Sequence, residues 1–397
     1  MLTDQRFKFM KVALIHDYLN QYGGGERVLG TLCELFPRAP IYTLLYDEKA
    51  TGGAFVGRRI FTSWLQKLPG ASRFHRSLAM LMPLAVEQFD LSKYDLVISN
   101  SASFAKGVIT KPRTKHISYC MTPTRFLWDD SHKFLRNFRG AENSQRNQWP
   151  NADFVSLLAS PFLSYLRVWD QQASQRVDEF IAISHFIQAR IKKYYKRDSG
   201  MIYPPVDTKK FFIANELGNY FLMVGRLVPY KRFDLAVRVF TQLGWPLKII
   251  GSGPQLNYLK SIAGKNVEFL GLLSDHLLPG YYARAQALVF PQEEDFGIVA
   301  VEAMASGRPV IAFQGGGSTE IIKAGETGIF FAEQTEPSLL AALQAFRAGD
   351  FNPQQVCGRA LLFDQKIFKQ QFMATVEAVT RGPVAPVAAN SIRVFNF

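Results

Sequence analysis

Short apolar runs alternate with stretches of helical periodicity along this chain, and the alternation runs through twice. Lys11–His16, Ile41–Leu45, Leu96–Asn100, His116–Cys120 and Glu179–Ile183 read as strands, with helices such as Glu26–Phe36 and Phe186–Tyr195 between them. The pattern restarts at Tyr220–Val224 and continues through Pro246–Ile250, Val267–Leu270, Ala287–Phe290 and Pro309–Phe313. Its helices include Asp234–Leu243 and Ile298–Ala305. Strand and helix in alternation predict an α/β fold with a parallel sheet in each half. The halves part at Tyr203-Pro204-Pro205-Val206-Asp207, where two prolines fix an extended connection. The expectation is two doubly wound domains facing each other across a cleft, over residues 1–207 and 208–365, followed by a C-terminal segment, 366–397. Its Gly382–Asn390 stretch reads as a frayed end. Open sheets of this kind bind ligands beyond the carboxyl ends of their strands, so the loops there should line the cleft.

The 397 residues, 48% hydrophobic and 20% charged, suffice for two cores and exclude a disordered chain. Three scattered cysteines, Cys33, Cys120 and Cys357, argue against a disulfide framework or a cysteine zinc site and for a reducing compartment. The longest apolar run, Leu78–Val86, is far short of a membrane span, and charges interrupt any leader-like core at the N-terminus. The chain reads as soluble and cytoplasmic. Its net charge of +13 sits mostly in the first half, at +10 (28 basic minus 18 acidic over 1–207) against +3 (18 minus 15). Lys49–Val86 holds Lys49, Arg58, Arg59, Lys67, Arg73 and Arg76 with no acid, interleaved with Phe61, Trp64, Leu65, Leu68, Phe74 and Leu78. This pattern fits either a solvated basic face or a surface that settles on anionic lipid headgroups. No recognition motif accompanies the charge, which argues against a nucleic-acid partner.

The stretch Glu293-Glu294-Asp295-Phe296-Gly297-Ile298-Val299-Ala300-Val301-Glu302 follows a strand and opens a helix. First-turn N–H groups lack internal partners and hold anions, and Gly297 lets a ligand approach the backbone. Glu294 and Glu302 are placed to accept hydrogen bonds from hydroxyls, so the stretch suits a polyhydroxylated, phosphorylated ligand. The plainer alternative is an acidic loop with Asp295 as the helix N-cap. Arg226 and Lys231, in Gly225–Arg232, follow the first strand of the second half and fit a diphosphate and the charge that develops as it leaves. Glycine clusters stand at Gly23-Gly24-Gly25, at Gly251-Ser252-Gly253, and at Gly315-Gly316-Gly317 before a helix over Thr319–Ala324. None completes a dinucleotide fingerprint or a P-loop, which disfavours dehydrogenases, nicotinamide-dependent epimerases and P-loop ATPases. Asp17 and Tyr18 end the first strand and are acceptor-side candidates or packing residues.

Together these motifs resemble the retaining glycosyltransferases of family 4, with the two-domain GT-B fold, over about residues 11–375. Glu294–Glu302 resembles the family's E-x7-E motif, Gly225–Lys231 its donor-phosphate loop, and Gly23–Val28 its N-terminal glycine loop. The resemblance implies that Arg226 and Lys231 bind the donor diphosphate and Glu302 the ribose. Glu294 and the Phe296, Gly297, Ile298 and Val299 backbone would hold the sugar. Gly23 and Gly24 would close on the phosphates from the acceptor side, with Ser252 and Gly253 beside the donor. It also implies a last helix, Gln365–Thr380, that crosses back to the first domain, front-face attack, and no metal or cofactor.

Tyr119–Asp129 resembles a subgroup that builds bacterial surface polysaccharides, many members using GDP-mannose. By that resemblance the acceptor is a lipid-linked glycan at the inner face of the cytoplasmic membrane. Met121 departs from the pattern, because related enzymes often carry a histidine there and methionine cannot hydrogen-bond comparably. His16 and His116, the nearest histidines in sequence, read as structural. The alternatives are a UDP-hexose donor or a nucleotide-sugar-binding protein without catalysis.

Overall fold

The computed structural model describes residues 10–71, 78–129, 131 and 152–381, with backbone alone over 152–160. Arg73, Phe74 and Arg76 of the basic stretch and the Gly382–Asn390 tail lie outside the described residues. The first half forms β1 (Val12–His16), β2 (Ile41–Thr43), β3 (Ile60–Thr62), β4 (Leu96–Ser101), β5 (Lys115–Cys120), β6 (Glu179–Ala182) and β7 (Gly200–Met201). These pair in the order β3-β2-β1-β4-β5-β6-β7. The second half forms β8 (Phe221–Val224), β9 (Leu247–Ile250), β10 (Val267–Gly271), β11 (Leu288–Phe290), β12 (Val310–Phe313) and β13 (Gly328–Phe331). Their order is β10-β9-β8-β11-β12-β13, and every ladder in both sheets is parallel.

The period of two in β1 shows why these runs become buried strands. Val12 and Leu14 join the apolar cluster under the helix Gly24–Leu35, while Ala13 and Ile15 join the cluster on the opposite face. Strand order reverses between β1 and β4, and again between β8 and β11. Ligands of doubly wound sheets settle in the crevice at such switch points. The loops leaving β1, β8 and β11 carry Gly23–Gly25, Arg226–Lys231 and Glu293–Gly297.

Two elements end earlier than the sequence suggests. The strand from Ile41 stops at Thr43, because the Leu44 N–H bonds the Asp17 carbonyl and leaves the ladder. The helix expected over Thr319–Ala324 is the single turn Ser318–Ile321, since Lys323 is taken into a turn closed by Thr327. His116 lies in β5 with Nε2 2.9 Å from Ser99 Oγ. Burial pushes its pKa down to about 4, so it is a neutral core residue at physiological pH.

The interdomain connection runs beside the start of the last helix. Val206 N–H donates to the Phe363 carbonyl and Gln365 N–H to the Val206 carbonyl, at 3.1 and 2.9 Å. That helix, Gln365–Arg381, packs on the first sheet through Phe368 and Phe372 against Tyr119, and Lys369 pairs with Glu34 at 2.6 Å.

Candidate active site

Glycines interlock the loops that carry the charged groups. Gly251 has φ +145, and a Cβ there would lie 1.8 Å from the Gly225 carbonyl oxygen. One on Gly253 would lie 2.4 Å from the Leu227 carbonyl oxygen. Leu227 N–H donates to the Ser252 carbonyl at 2.9 Å, so Ser252 and Gly253 form the wall behind Arg226. The loop after β11 is clamped in a similar way, with Gly317 N–H donating to the Glu294 carbonyl at 2.8 Å. Gly297, at φ +117, caps the helix Ile298–Ala305, and a Cβ there would meet the Phe290 ring at 3.0 Å. A side chain would be strained in both conformation and space. The cap is therefore Gly297 rather than Asp295, whose carboxylate points elsewhere.

Lys231 Nζ lies 2.6 Å from Glu294 Oε1. Burial pushes the Lys231 ammonium down, and Glu294 beside it more than offsets this, leaving its pKa above the ordinary value. Arg226 reaches across the cleft and donates to Gln21 Oε1. Glu302 is buried and accepts from Arg27 of the first domain and, at 2.8 Å, from the Tyr282 hydroxyl. Burial and the neighbouring carboxylate raise the Tyr282 pKa, which keeps its proton on that bond. The ribose-binding carboxylate expected from the sequence is thus occupied in this state. Arg27 and Glu302, with Tyr22, Asp275, Leu278 and Ile298, line an interdomain cavity of about 150 Å³.

Opposing helix starts complete the arrangement. A Cβ on Gly24, at the start of Gly24–Leu35, would lie 3.1 Å from Ile298 Cδ1, at the start of Ile298–Ala305. The starts of two helices are therefore neighbours, and the loops leading into them carry Gln21 and Glu294, the partners of Arg226 and Lys231, an environment suited to a diphosphate. Phe296 contributes differently, since its ring is buried and stacks on Tyr203 with centroids 5.5 Å apart. Val299 is half-buried in the first turn.

The acceptor-side candidates Asp17 and Tyr18 are both engaged within the first domain. Asp17 accepts four backbone N–H bonds, from Ala102, Ser103, Phe104 and Ala105 at 2.6, 3.0, 2.7 and 2.6 Å. It is buried and folds the β4 exit. The Tyr18 hydroxyl is engaged with Met82 Sδ and Ser103 Oγ, and burial raises its pKa. His16 faces Glu26 at 3.5 Å and Asn100 at 3.2 Å. Burial pushes Glu26 up, but His16 and the Gly23 N–H outweigh it and hold its pKa below the ordinary value. Met121, at the exit of β5, packs against the apolar core.

The structure also adds site residues. Asp295 accepts from Arg125 at 2.8 Å and Arg190 at 3.0 Å, both from the first domain. Arg27 and Arg125 sit inside two motifs already singled out, Gly23–Val28 and Tyr119–Asp129. Their roles there depend on which carboxylate the opposite domain presents.

Two doubly wound domains, with charged loops meeting at both switch points, define the GT-B class of fold. The sequence model of glycosyltransferase family 4 matches residues 22–210, and that of the group 1 glycosyl transferases matches residues 207–355. An uncharacterized glycosyltransferase of Methanocaldococcus jannaschii is 30% identical over 177 residues, 43% of this chain and 50% of the relative. The O-antigen chain mannosyltransferase RfbU of Salmonella typhimurium is 30% identical over 159 residues, 37% of this chain and 45% of the relative. The chain thus spans about half the length of these curated relatives. The crystal structure of Anabaena HepE in complex with UDP superposes with a TM-score of 0.65 at 18% identity, covering 93% of this chain and all of that one. The chain thus carries a glycosyltransferase family 4 domain over residues 22–210 and a group 1 glycosyl transferase domain over residues 207–355.

Proposed function

We propose that the protein is a retaining hexosyltransferase that moves mannose from GDP-mannose to a hydroxyl of a lipid-linked glycan in bacterial surface-polysaccharide synthesis. One observation carries this reading. Lys231 pairs with Glu294, Arg226 reaches Gln21 and Arg27 reaches Glu302, beside two neighbouring helix starts at the switch points of both sheets. Cations and amide dipoles hold the diphosphate, and carboxylates hold hydroxyls. In the reaction the bond from the anomeric carbon to the phosphate oxygen breaks. The bond to the acceptor oxygen forms on the same face, and the acceptor's proton passes to the departing phosphate. Arg226 and Lys231 stabilise that leaving group, with no metal assigned to the task. Glu294, paired with Lys231, is a binder of sugar hydroxyls rather than a nucleophile. The choice of mannose draws on the likeness to RfbU.

Binding should appear as thermal stabilisation. A ligand at a hundred times its Kd stabilises the folded state by about 2.7 kcal/mol. In a screen of GDP- and UDP-sugars, GDP-mannose should raise the melting temperature most and be consumed when glycan acceptor is added. A larger shift with a UDP-hexose would move the reading to that donor. Indifference to every activated sugar would remove it, and binding without transfer would leave a nucleotide-sugar-binding protein.

The proposal places the enzyme on the inner face of the cytoplasmic membrane. Among the described residues no helix is long and apolar enough to cross a membrane, while the first domain exposes Leu68, Leu81 and Leu84 near its basic stretch. The protein should cosediment with anionic vesicles and not with neutral ones. Equal partitioning onto both would leave the basic stretch a solvated face.

A further inference from the structure

We infer that Asp295 is a positioning residue, the latch through which the first domain fixes Glu294 at the transferred sugar. The inference rests on the sugar-binding role proposed for Glu294. The loop after β11 is held from its own domain by Gly317 N–H on the Glu294 carbonyl, Lys231 on the Glu294 carboxylate and Gln334 Nε2 on the Pro291 carbonyl. The next residue is held entirely from across the cleft. The Asp295 carboxylate takes Arg125 Nη2 at 2.8 Å and Arg190 Nη1 at 3.0 Å, and its carbonyl oxygen takes Ser184 Oγ at 2.6 Å. Side chain and backbone of Asp295 are both tethered, so the loop that presents Glu294 is clamped between the first domain at Asp295 and the second domain at Lys231 and Gly317.

The tethers are themselves rigid. Arg190, on the helix His185–Tyr195, also donates to Thr122 Oγ1 at 2.6 Å and pairs with Asp129. Arg125 begins the short helix Arg125–Trp128, which is pinned from behind by buried Asp170. Asp170 accepts from Thr124 Oγ1 and from Trp128 Nε1, both at 2.8 Å. The Arg125 guanidinium also lies 5.9 Å from the Tyr230 ring centroid, next to Lys231. One cation of the first domain thus touches both donor loops. An open cleft would break the latch, and closure would restore it together with the orientation of Glu294.

Asp295→Asn keeps the shape and removes the charge that two guanidiniums share. Turnover should fall about ten- to hundredfold, because small displacements of an orienting group cost this much. The donor's KM and its thermal shift should stay within about twofold, since Arg226 and Lys231 are untouched. Small-angle scattering of the ligand-free full chain should give a larger radius of gyration. Arg125→Gln should reproduce this pattern from the other domain and serves if Asp295→Asn does not fold. The double variant should be little worse than either single one, as expected for two ends of one contact. Wild-type turnover with an unchanged radius of gyration overturns the inference, as does a loss of stability that leaves turnover intact. The scattering measurement needs no substrate, so it tests the latch even if the donor reading fails.

Discussion

Lys231→Ala is expected to lower sugar transfer at least about a hundredfold while leaving the fold intact, the scale on which a preorganised charge partner is lost at a developing oxyanion. Lys231 ends the 3-10 turn Pro229–Lys231, and its chain runs past Gly225, where a Cβ would lie 3.4 Å from Lys231 Cδ. In the ligand-free protein its ammonium is balanced by Glu294. When the sugar–phosphate bond breaks, negative charge grows on the diphosphate, and the ammonium strengthens its hold on that group in the transition state. Arg226→Ala should have an effect of the same order, because its guanidinium is held at the cleft by Gln21. The measurement is kcat with labelled donor, alongside circular dichroism and thermal unfolding. Lys231→Arg, which keeps the charge, should recover part of the loss. Near-normal rates in either alanine variant would remove these residues from the leaving-group role.

Most strands that alternate sharply or run fully apolar were legible in the sequence. Ile60–Thr62, Gly200–Met201 and Gly328–Phe331 were not, because segments of two to four residues carry too little periodicity to register. The loops after β8 and β11 stand out in the sequence as a candidate site because glycines, cations and carboxylates gather there in an order that suits a phosphorylated sugar. Their partners were not. Arg27 meets Glu302 across 275 residues of chain, and Arg125 meets Asp295 across 170. Such pairs depend on how two folded domains dock, which no local pattern records. Asp295 suggests an N-cap by residue type and position, yet Gly297 takes the cap at a φ that only glycine adopts without strain. Asp17 reads as a site residue for a similar reason, and the loop from 102 to 105 consumes its carboxylate.

Asp170→Ala should destabilise the protein by about 3–5 kcal/mol, the usual result of leaving a buried charge without its partner. Lys106 Nζ and Asp170 Oδ1 lie 2.5 Å apart, and both side chains are only 1% exposed. The carboxylate also accepts from Thr124, Trp128 and, at 2.9 Å, the Tyr195 hydroxyl, so its loss takes an acceptor from four donors rather than one. A well-packed apolar replacement of a buried ion pair is often neutral. Lys106→Met combined with Asp170→Leu should therefore recover part of the stability. The recovery should be incomplete, because the buried Tyr195 hydroxyl loses its acceptor at a cost of about 1–3 kcal/mol, half-buried Trp128 loses its own, and Thr124 keeps only the Ser103 carbonyl at 3.4 Å. Urea midpoints of the two single variants and the double variant measure this directly. Full recovery would mean that the ion pair alone holds this corner. No loss on Asp170→Ala would mean that the segment from Thr124 to Trp128, and with it Arg125, is anchored by packing rather than by the carboxylate.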